Sequence, residues 1–461
     1  LNFQIKAQSM ILKPDTSISS EIQRQLNTDQ IGPLLNYPST LKRFYSHRLF
    51  QPAWVGPKAN VKQTWDAMME LDCVIQFGLA HSDYHPNEVV YDRLHTILEQ
   101  PDSISNREKA RYDIILTDAL LTFMNHLHYG KLNPDFPSNK IDTVKHGFRT
   151  EDELVNAMSQ KDIMSGIESV QPKSQEYVNL QNHMHLLTGV YSGDCYEIPE
   201  SDIREMAINM ERLRWAETYQ NDGTYVQINI PAYTLELHEP DTTYQFKVVV
   251  GKPGTPTPTL NSTINYFTTA PEWRVPHKIF VNEILPKALK DTAYLAANQF
   301  TIYNDKGNIV KPAVSILQYI AKHSRNYSVR QSSGCDNSLG NIVFRFANLY
   351  DIYLHDTPEQ QLFRLKERAF SHGCIRVEHA EKLAQLLLKQ DHSASFIPGM
   401  HYAIQHYQTK TFTLKKKVPI HVIYMTAEVK EGLLIEYKDI YNLDKSLEMA
   451  LYNADSPLAL K

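Results

Sequence analysis

Cysteine is scarce in this sequence, which has four in 461 residues: Cys73, Cys195, Cys335 and Cys374. No two of them form a CxxC pair, so neither a zinc ribbon nor a thioredoxin-type site is expected. Four cysteines in a chain of this length also do not make a disulfide framework. We therefore expect one reactive thiol among incidental cysteines. The sequence leaves open whether Cys73 and Cys195 are bridged.

Several common functional motifs are absent. There is no P-loop, no GxGxxG after a predicted strand, no HExxH and no GxSxG, so nucleotide binding, zinc-peptidase chemistry and a serine hydrolase elbow have no support. The HxH pairs His126/His128 and His183/His185 would point apart on a helix. We predict no metal and no cofactor. The net charge of −5, with mixed signs, argues against a nucleic-acid partner.

Long apolar runs are also missing. None approaches the roughly 18 residues that a membrane span requires, and the chain begins without methionine or an apolar leader. We therefore expect a mature or trimmed chain, from which any export signal has been removed. Apolar residues make up 42% of the sequence, which is enough for a packed core.

The N-terminal part has the apolar periodicity of helices. In RYDIILTDALLTFMNHLH, apolar residues recur at helical spacing and predict one buried face: Tyr112, Ile115, Leu116, Ala119, Leu120, Phe123 and Leu127. Cys73 falls within a second such segment, WDAMMELDCVIQFGLA. A buried structural thiol is expected there.

The pattern changes near residue 210 to alternating polar and β-branched or aromatic residues. It predicts strands near 224–230, 233–238, 244–250, 341–346 and 351–355. A helix is expected after Cys374, with Glu378 at its N-cap position, where Asn or Asp would be a better cap. The polar segment 276–334 interrupts the strands and is interpreted as an insertion that acts as a mobile lid.

The predicted fold class is α+β, with a helical N-terminal region followed by a β-rich domain. The predicted domains are a helical domain at 1–205, a β-rich domain at 206–400 that contains the insertion, and C-terminal strands and tail at 401–461 that pack back on both.

Cys374, in FSHGCIRV, has the surroundings that a nucleophile needs. A nucleophilic thiol requires a base and donors for an oxyanion. His355 lies on the preceding strand end, and His372 is two residues away. Gly373 lets a carbonyl group approach the backbone N–H groups, and Arg376 is placed to favour thiolate or to hold a carboxylate.

Cys335, in QSSGCDNS, is the competing candidate. It lies among the turn-forming residues Gly334, Asp336 and Asn337, and the adjacent acid disfavours a thiolate. Cys335 is therefore interpreted as a loop cysteine.

The longer segment HDTPEQQLFRLKERAFSHGCIRV resembles the active-site signature of the L,D-transpeptidase (YkuD-type) family. That signature is an upstream His, a spacer, Ser/Thr-His-Gly-Cys, a hydrophobic residue, and Asn or Arg. Here fifteen residues separate His355 from Ser371. The blocks NMERLRW, FKVVVGKPGTPTP, APEWRVP and NSLGNIVFRF resemble the large periplasmic, YcbB-like subfamily. The Gly-rich repeats of that subfamily's peptidoglycan-binding module are not found.

The resemblance implies a helical N-terminal scaffold followed by a β-rich YkuD-type catalytic domain with an inserted capping subdomain at 276–334. It implies that Cys374 attacks the carbonyl between diaminopimelate and the terminal D-Ala of a peptidoglycan tetrapeptide stem. His355 is the implied base and His372 an orienting neighbour. Backbone N–H groups around Gly373 and Cys374 would hold the oxyanion.

Four further residues are candidates for substrate binding: Arg376, Tyr353, Trp273 and Ser371. Arg376 is expected to pair with a stem carboxylate or to order the motif. For Tyr353, on the His355 strand, and for Trp273, packing and substrate contact remain equally open.

The resemblance implies a 3→3 cross-link when the amine of a second stem attacks the thioester, and L,D-carboxypeptidase activity when water does. A wall-binding scaffold without catalysis is the rival class. A papain-like peptidase would place its cysteine before its histidine. The acceptor remains open between a stem, a lipoprotein lysine and a free D-amino acid.

The implied partners are donor and acceptor stems, carbapenem inhibitors and other cell-wall synthases. The implied location is the periplasm of a Gram-negative bacterium.

Cys374→Ala is expected to abolish transfer and to block covalent labelling by a carbapenem, because both need this thiol. Cys335→Ser is the matched control and is expected to behave like the wild type. Intact-mass spectrometry of each carbapenem-treated variant measures the labelling. Loss of activity in a normally folded Cys335→Ser protein would show that the nucleophile has been misassigned.

Overall fold

The computed structural model of the chain describes residues 17–28, 31–190, 201–216 and 223–452. Cys195, and with it any bridge to Cys73, lies outside the described residues. The chain divides into two compact units. The helical unit contains the chain before the strands together with Ala427–Glu436 and the segment from Asn442 onward, whereas the sheet unit contains Gln220–Thr426 and Tyr437–Tyr441. The domain boundaries given above stay a prediction.

In its described residues, the helical unit begins with ten α-helices. They are α1 Ile18–Asn27, α2 Pro38–His47, α3 Val61–Asp72, α4 Tyr91–Glu99, α5 Asn106–Tyr129, α6 Ser138–Asp142, α7 Thr150–Ser159, α8 Ile163–Glu168, α9 Gln175–Val190 and α10 Ser201–Ala216. Within the described ranges, no helix combines the length and the apolar character of a membrane span.

Helix α5 is the centre of this unit. A capping box between Ser105 and Glu108 fixes its start. The predicted apolar face is buried, but so is most of the opposite face, because α1, α2, α3, α7 and α8 pack around it. Asp113 on α5 is fully buried and accepts hydrogen bonds from the backbone N–H groups of Ala53, Trp54 and Val55. These bonds compensate the burial of a carboxylate.

Cys73 does not occupy the predicted buried position. Helix α3 ends at Asp72, and Cys73 is its exposed C-cap residue. The apolar pattern continues beyond it in a 3₁₀ turn, Val74–Phe77. The change from α-helical to 3₁₀ geometry therefore shifts the residues that face the core, which the helical periodicity could not predict.

Thirteen strands follow in the described part of the sheet unit. They are β1 Tyr225–Asn229, β2 Thr234–Glu239, β3 Thr242–Gly251, β4 Leu260–Thr269, β5 Trp273–Arg274, β6 Phe300–Asn304, β7 Ile309–Val310, β8 Tyr327–Gln331, β9 Ile342–Phe346, β10 Leu354–His355, β11 Ala369–Ser371, β12 Ile375–Val377 and β13 Lys410–Ile423.

Nine of these strands form the main sheet, in the order β11-β3-β12-β10-β9-β4-β13-β1-β2. Strand β2 also pairs with β3, so the strands from β3 round to β2 form a closed ring. One face carries the apolar core, which includes Val248, Phe267, Phe344, Leu354 and Ile375. The helical unit and this sheet confirm the predicted α+β class.

The interruption predicted at 276–334 corresponds to a separate small sheet of order β5-β8-β6-β7. It packs with α11 His277–Ile279, a π turn at Phe280–Ile284, α12 Leu285–Lys290, α13 Ala293–Ala297 and α14 Val314–Lys322. These elements share a core of their own around Phe280, Leu317 and Val329. Its proposed motion as a lid remains a prediction.

Two helices, α15 Ala380–Gln390 and α16 Ile397–Gln405, contribute to the core of the main sheet. Helix α15 begins one residue later than predicted. Its N-cap is His379, with φ of 54° and no side-chain capping bond, and not Glu378. The chain then adds the hairpin β14 Ala427–Lys430 and β15 Leu433–Glu436, and the helix α17 Asp444–Tyr452, to the helical unit.

A buried pair of carboxyl groups lies in the helical unit. Glu70 on α3 is fully buried, and neither of its oxygens meets a hydrogen-bond donor within the described part of the chain. It faces Glu168 at the end of α8. Burial, then the charges of Glu168 and Asp162, raises the pKa of Glu70 to about 8. Protonated Glu70 can share its proton with Glu168.

A group whose pKa is higher in the folded than in the unfolded chain loses stabilising effect as pH rises. Glu70 should therefore lower the stability of the helical unit progressively between about pH 4.5 and pH 8. Glu70→Gln, which mimics the protonated form, is expected to be the more stable protein at pH 8 by a few kcal/mol. Thermal unfolding at several pH values, followed by circular dichroism, measures this.

The control is Glu431→Gln, in the turn between β14 and β15, whose side chain is exposed and forms no ion pair within the described chain. It should follow the wild-type pH profile. If Glu70→Gln has the same dependence of stability on pH as the wild type, the raised pKa assigned to Glu70 is wrong.

Candidate active site

Strands β10 and β12, which neighbour β9 in the main sheet, carry two of the residues that sequence analysis selected, His355 and Arg376. Leu354 pairs with Phe344 and Ile375, and all three lie on the core face. Because side chains alternate along a strand, His355 and its partner Arg376 lie on the opposite face. Tyr353 and Arg345 extend the same face, and we call it the site face.

His355, at the end of β10, is 6% exposed. Its Nδ1 lies 2.5 Å from the backbone carbonyl oxygen of Asp356. A carbonyl oxygen only accepts, so Nδ1 carries the hydrogen and the lone pair lies on Nε2. Burial, followed by the positive charge of Arg376, lowers the pKa of His355 to about 3.

Cys374 is half-buried just before β12. Its Sγ lies 3.9 Å from the carbonyl oxygen of Asp351, and it also contacts Tyr353. Burial raises the pKa of the thiol, whereas Tyr353 and the positive charge of Arg345 oppose the rise. Among the described residues, the backbone N–H of Cys374 has no hydrogen-bond acceptor.

The turn before Cys374 is fixed by buried hydrogen bonds. The Ser371 hydroxyl donates to the carbonyl of Cys374 at 2.5 Å and accepts from the N–H of Gly373 at 3.1 Å. The Thr257 hydroxyl donates to the carbonyl of Gly373 at 2.7 Å. Gly373 has φ of 115°, which favours glycine. Ser371 is 3% exposed, so its position supports a role in the turn more than contact with substrate.

Tyr353 connects the thiol to the small sheet. Its ring centroid is 5.7 Å from that of His355. Burial, followed by the nearby Cys374, raises the pKa of its hydroxyl. The indole of Trp273, on β5, lies beside this hydroxyl, although its buried N–H does not reach hydrogen-bond geometry. Trp273 and Tyr353 thus form one wall next to Cys374.

Two predicted residues have partners that the sequence did not indicate. Nη1 of Arg376 forms an ion pair with Glu359, and its Nε is buried without an acceptor in the described chain. His372 is exposed, and its Nε2 lies 2.5 Å from a carboxylate oxygen of Glu283 in the π turn of the small sheet's subdomain. The side chain of His372 therefore contacts the insertion.

Arg345 is the residue that sequence reasoning missed. Its guanidinium carbon lies 5.0 Å from the centroid of the Tyr353 ring. Its charge acts on Cys374, His355 and Tyr353. A charged residue in the otherwise apolar strand IVFRF was the available signal.

Cys335 lies in an exposed turn outside this group. A cavity of about 530 Å³ lies by the start of α15, lined by Asn341, Asp356, Gln360, His379, Ala380, Glu381, Lys382 and Gln385. Neither Cys374 nor His355 lines it. The candidate nucleophile is therefore assigned from the chemistry of the site face and not from this cavity.

Comparisons with known proteins match both parts of the chain. Residues 39–184 match the model of the Scaffold domain, and residues 223–420 match that of the L,D-transpeptidase catalytic domain, YkuD. The chain is similar to a Haemophilus influenzae protein named "Putative L,D-transpeptidase", with 28% identity over 453 residues, which cover 95% of this chain and 86% of the relative.

Two solved structures are similar to part of this chain. An L,D-transpeptidase from Mycobacterium smegmatis is 14% identical, with a TM-score of 0.21, over 43% of this chain and 58% of that one. L,D-transpeptidase 1 from Mycobacterium tuberculosis is 11% identical, with a TM-score of 0.16, over 44% and 62%. The chain thus spans less than two thirds of the length of either of these two proteins.

The assignment rests on the two domain matches and the Haemophilus relative. This chain therefore combines a Scaffold domain at residues 39–184 with an L,D-transpeptidase catalytic domain of the YkuD type at residues 223–420.

Proposed function

We propose that this protein forms 3→3 cross-links between peptidoglycan stems through a thioester on Cys374. The observation that carries the proposal is the arrangement of the site face. A half-buried thiol with an open backbone N–H contacts Tyr353, and the ring of Tyr353 lies 5.7 Å from a buried imidazole whose tautomer leaves Nε2 as an acceptor. That combination suits acyl transfer by a thiol.

In the first step, Sγ of Cys374 attacks the carbonyl that joins the L-centre of diaminopimelate to D-Ala. Nε2 of His355 takes the thiol proton and gives it to the leaving D-Ala amine. The products are a thioester and free D-Ala.

In the second step, the side-chain amine of diaminopimelate on another stem attacks the thioester. The sulfur leaves, and the amine's proton returns to it through His355. Water in place of the amine would give L,D-carboxypeptidase activity.

The oxyanion of each step needs donors. The open N–H of Cys374 supplies one, and the hydroxyl of Tyr353, which contacts the thiol, supplies the second. The N–H of Gly373 is already bound to Ser371, so it is not available without rearrangement. Loss of one donor typically costs about 3 kcal/mol.

The remaining predicted residues receive supporting roles. Trp273 is proposed to wall the stem beside Tyr353, and Arg376 to order the motif through Glu359. His372 is proposed to hold the insertion against the motif turn through Glu283. The subdomain then limits the access of water to the thioester, because a transferase must favour the amine acceptor over water. A periplasmic location and inhibition by carbapenems follow from this function.

Disaccharide-tetrapeptide incubated with the wild-type chain is expected to give a 3→3 dimer and D-Ala, detected by mass spectrometry. Cys374→Ala should give neither, and His355→Ala should lose about 10²–10⁴ in rate. Cys335→Ser is the matched control and should retain activity. Tripeptide without dimer would indicate a carboxypeptidase, and no product at all would favour a wall-binding scaffold.

The resting site is expected to hold a neutral thiol and a neutral imidazole, because burial raises the pKa of Cys374 and lowers that of His355. Alkylation of Cys374 by iodoacetamide should therefore keep accelerating with pH above about pH 9, the usual thiol range. Peptide mapping separates this signal from that of the exposed Cys335. A plateau reached already below neutral pH would instead indicate a thiolate–imidazolium pair.

A further inference from the structure

Arg345 carries a charge that the protein itself does not neutralise. It lies on β9, on the site face, and is only partly exposed. Across the described chain, its side chain has no acceptor and no acidic partner, and its guanidinium stacks on the Tyr353 ring. A guanidinium has five N–H donors in a planar fork. Stacking on a ring leaves all of them unused.

Arg376, the second arginine of the site face, already has an acidic partner. Arg376 forms an ion pair with Glu359, whose side chain is 52% exposed. Its guanidinium is therefore already partly neutralised. Of the two arginines, Arg345 is the one open to an anion from outside.

The position of Arg345 restricts which anion it can meet. Its charge acts on the Cys374 thiol and on Tyr353, so it lies close to the point of attack. In a tetrapeptide stem, the C-terminal carboxylate is separated from the attacked carbonyl carbon only by the amide nitrogen and one carbon. A planar guanidinium binds a carboxylate through two parallel hydrogen bonds.

We infer that Arg345 binds the C-terminal carboxylate of the donor stem and so selects stems that end one residue after the scissile bond. This inference rests on the proposed function, since it names the group recognised at that site. Arg345 then acts as a specificity residue, and Arg376 keeps its bond to Glu359.

Binding without chemistry tests the inference directly. In the Cys374→Ala background, calorimetry compares the tetrapeptide acid with the same peptide as its C-terminal amide. The unmodified site should prefer the acid by about tenfold to a hundredfold. Arg345→Gln should abolish that preference by weakening the binding of the tetrapeptide acid but not that of the amide. Arg345→Lys, which keeps the charge, should retain part of the preference.

Arg330→Gln is the matched control, because Arg330 also stacks on a tyrosine ring, Tyr303, but is paired with Glu272. It should leave the preference intact. An acid-to-amide ratio unchanged by Arg345→Gln overturns the inference. So does an equal loss for both peptides, which would indicate a packing role, or a failure of the unmodified site to bind the acid.

Turnover of the tetrapeptide by the chain with Cys374 intact separates this inference from the proposed function. If the 3→3 product forms but Arg345→Gln leaves the acid-to-amide affinity ratio unchanged, the role of Arg345 is rejected and the proposed function is retained. If the ratio depends on Arg345 but no product forms, the proposed function is rejected and carboxylate recognition by Arg345 is retained.

Discussion

The hydrogen bond from His355 Nδ1 to the carbonyl oxygen of Asp356 is the constraint on which the candidate site depends. This hydrogen bond can fix the tautomer of His355 only if the carbonyl group of Asp356 is itself held in place. The Asp356 N–H donates to Ile342, and its carboxylate accepts from the N–H of Asn341 at 2.9 Å. A Cβ on Gly340 would lie 2.5 Å from that carboxylate, so a glycine lets the two segments approach. Backbone contacts thus decide which nitrogen of the imidazole is free.

A second buried group fixes the insertion next to this site. The side-chain amide of Asn337 is fully buried and faces the carbonyl oxygens of Pro271, Gln331 and Ser332. Pro271 precedes β5 and Ser332 follows β8, so one side chain holds both ends of the small sheet's subdomain. Its connection to the main sheet is therefore defined, and β5 brings Trp273 beside Tyr353. Any closing motion must occur beyond these fixed ends.

Sequence patterns predicted the features that depend on spacing along the chain. Alternation located the strands around Tyr353 and His355 to within a few residues, and the motif singled out Cys374 from Cys335. Patterns did not identify partners distant in sequence. Glu283 beside His372 and Glu359 beside Arg376 are examples, because hydrogen bonds between remote segments depend on the fold.

The same limit explains two errors in the helical regions and one omission in the sheet. Cys73 was expected inside a helix, but the helix ends one residue before it and a 3₁₀ turn follows. The N-cap of α15 is His379 because its backbone adopts a left-handed conformation, which propensity does not indicate. Arg345 was overlooked because a single charge in an apolar strand predicts only that it faces away from the core. Its importance arises from Tyr353 on the next strand.

The charges on the site face link recognition to catalysis. Burial, then Arg376 and Arg345, keeps the pKa of His355 at about 3, so the free site holds a poor proton acceptor. In the proposed complex, a donor carboxylate at Arg345 cancels part of that positive field. An opposite charge nearby favours the imidazolium, so the pKa of His355 rises when the donor binds. Under this proposal, His355 would accept a proton most readily when a stem with a C-terminal carboxylate is bound, and binding at Arg345 would promote proton transfer from Cys374.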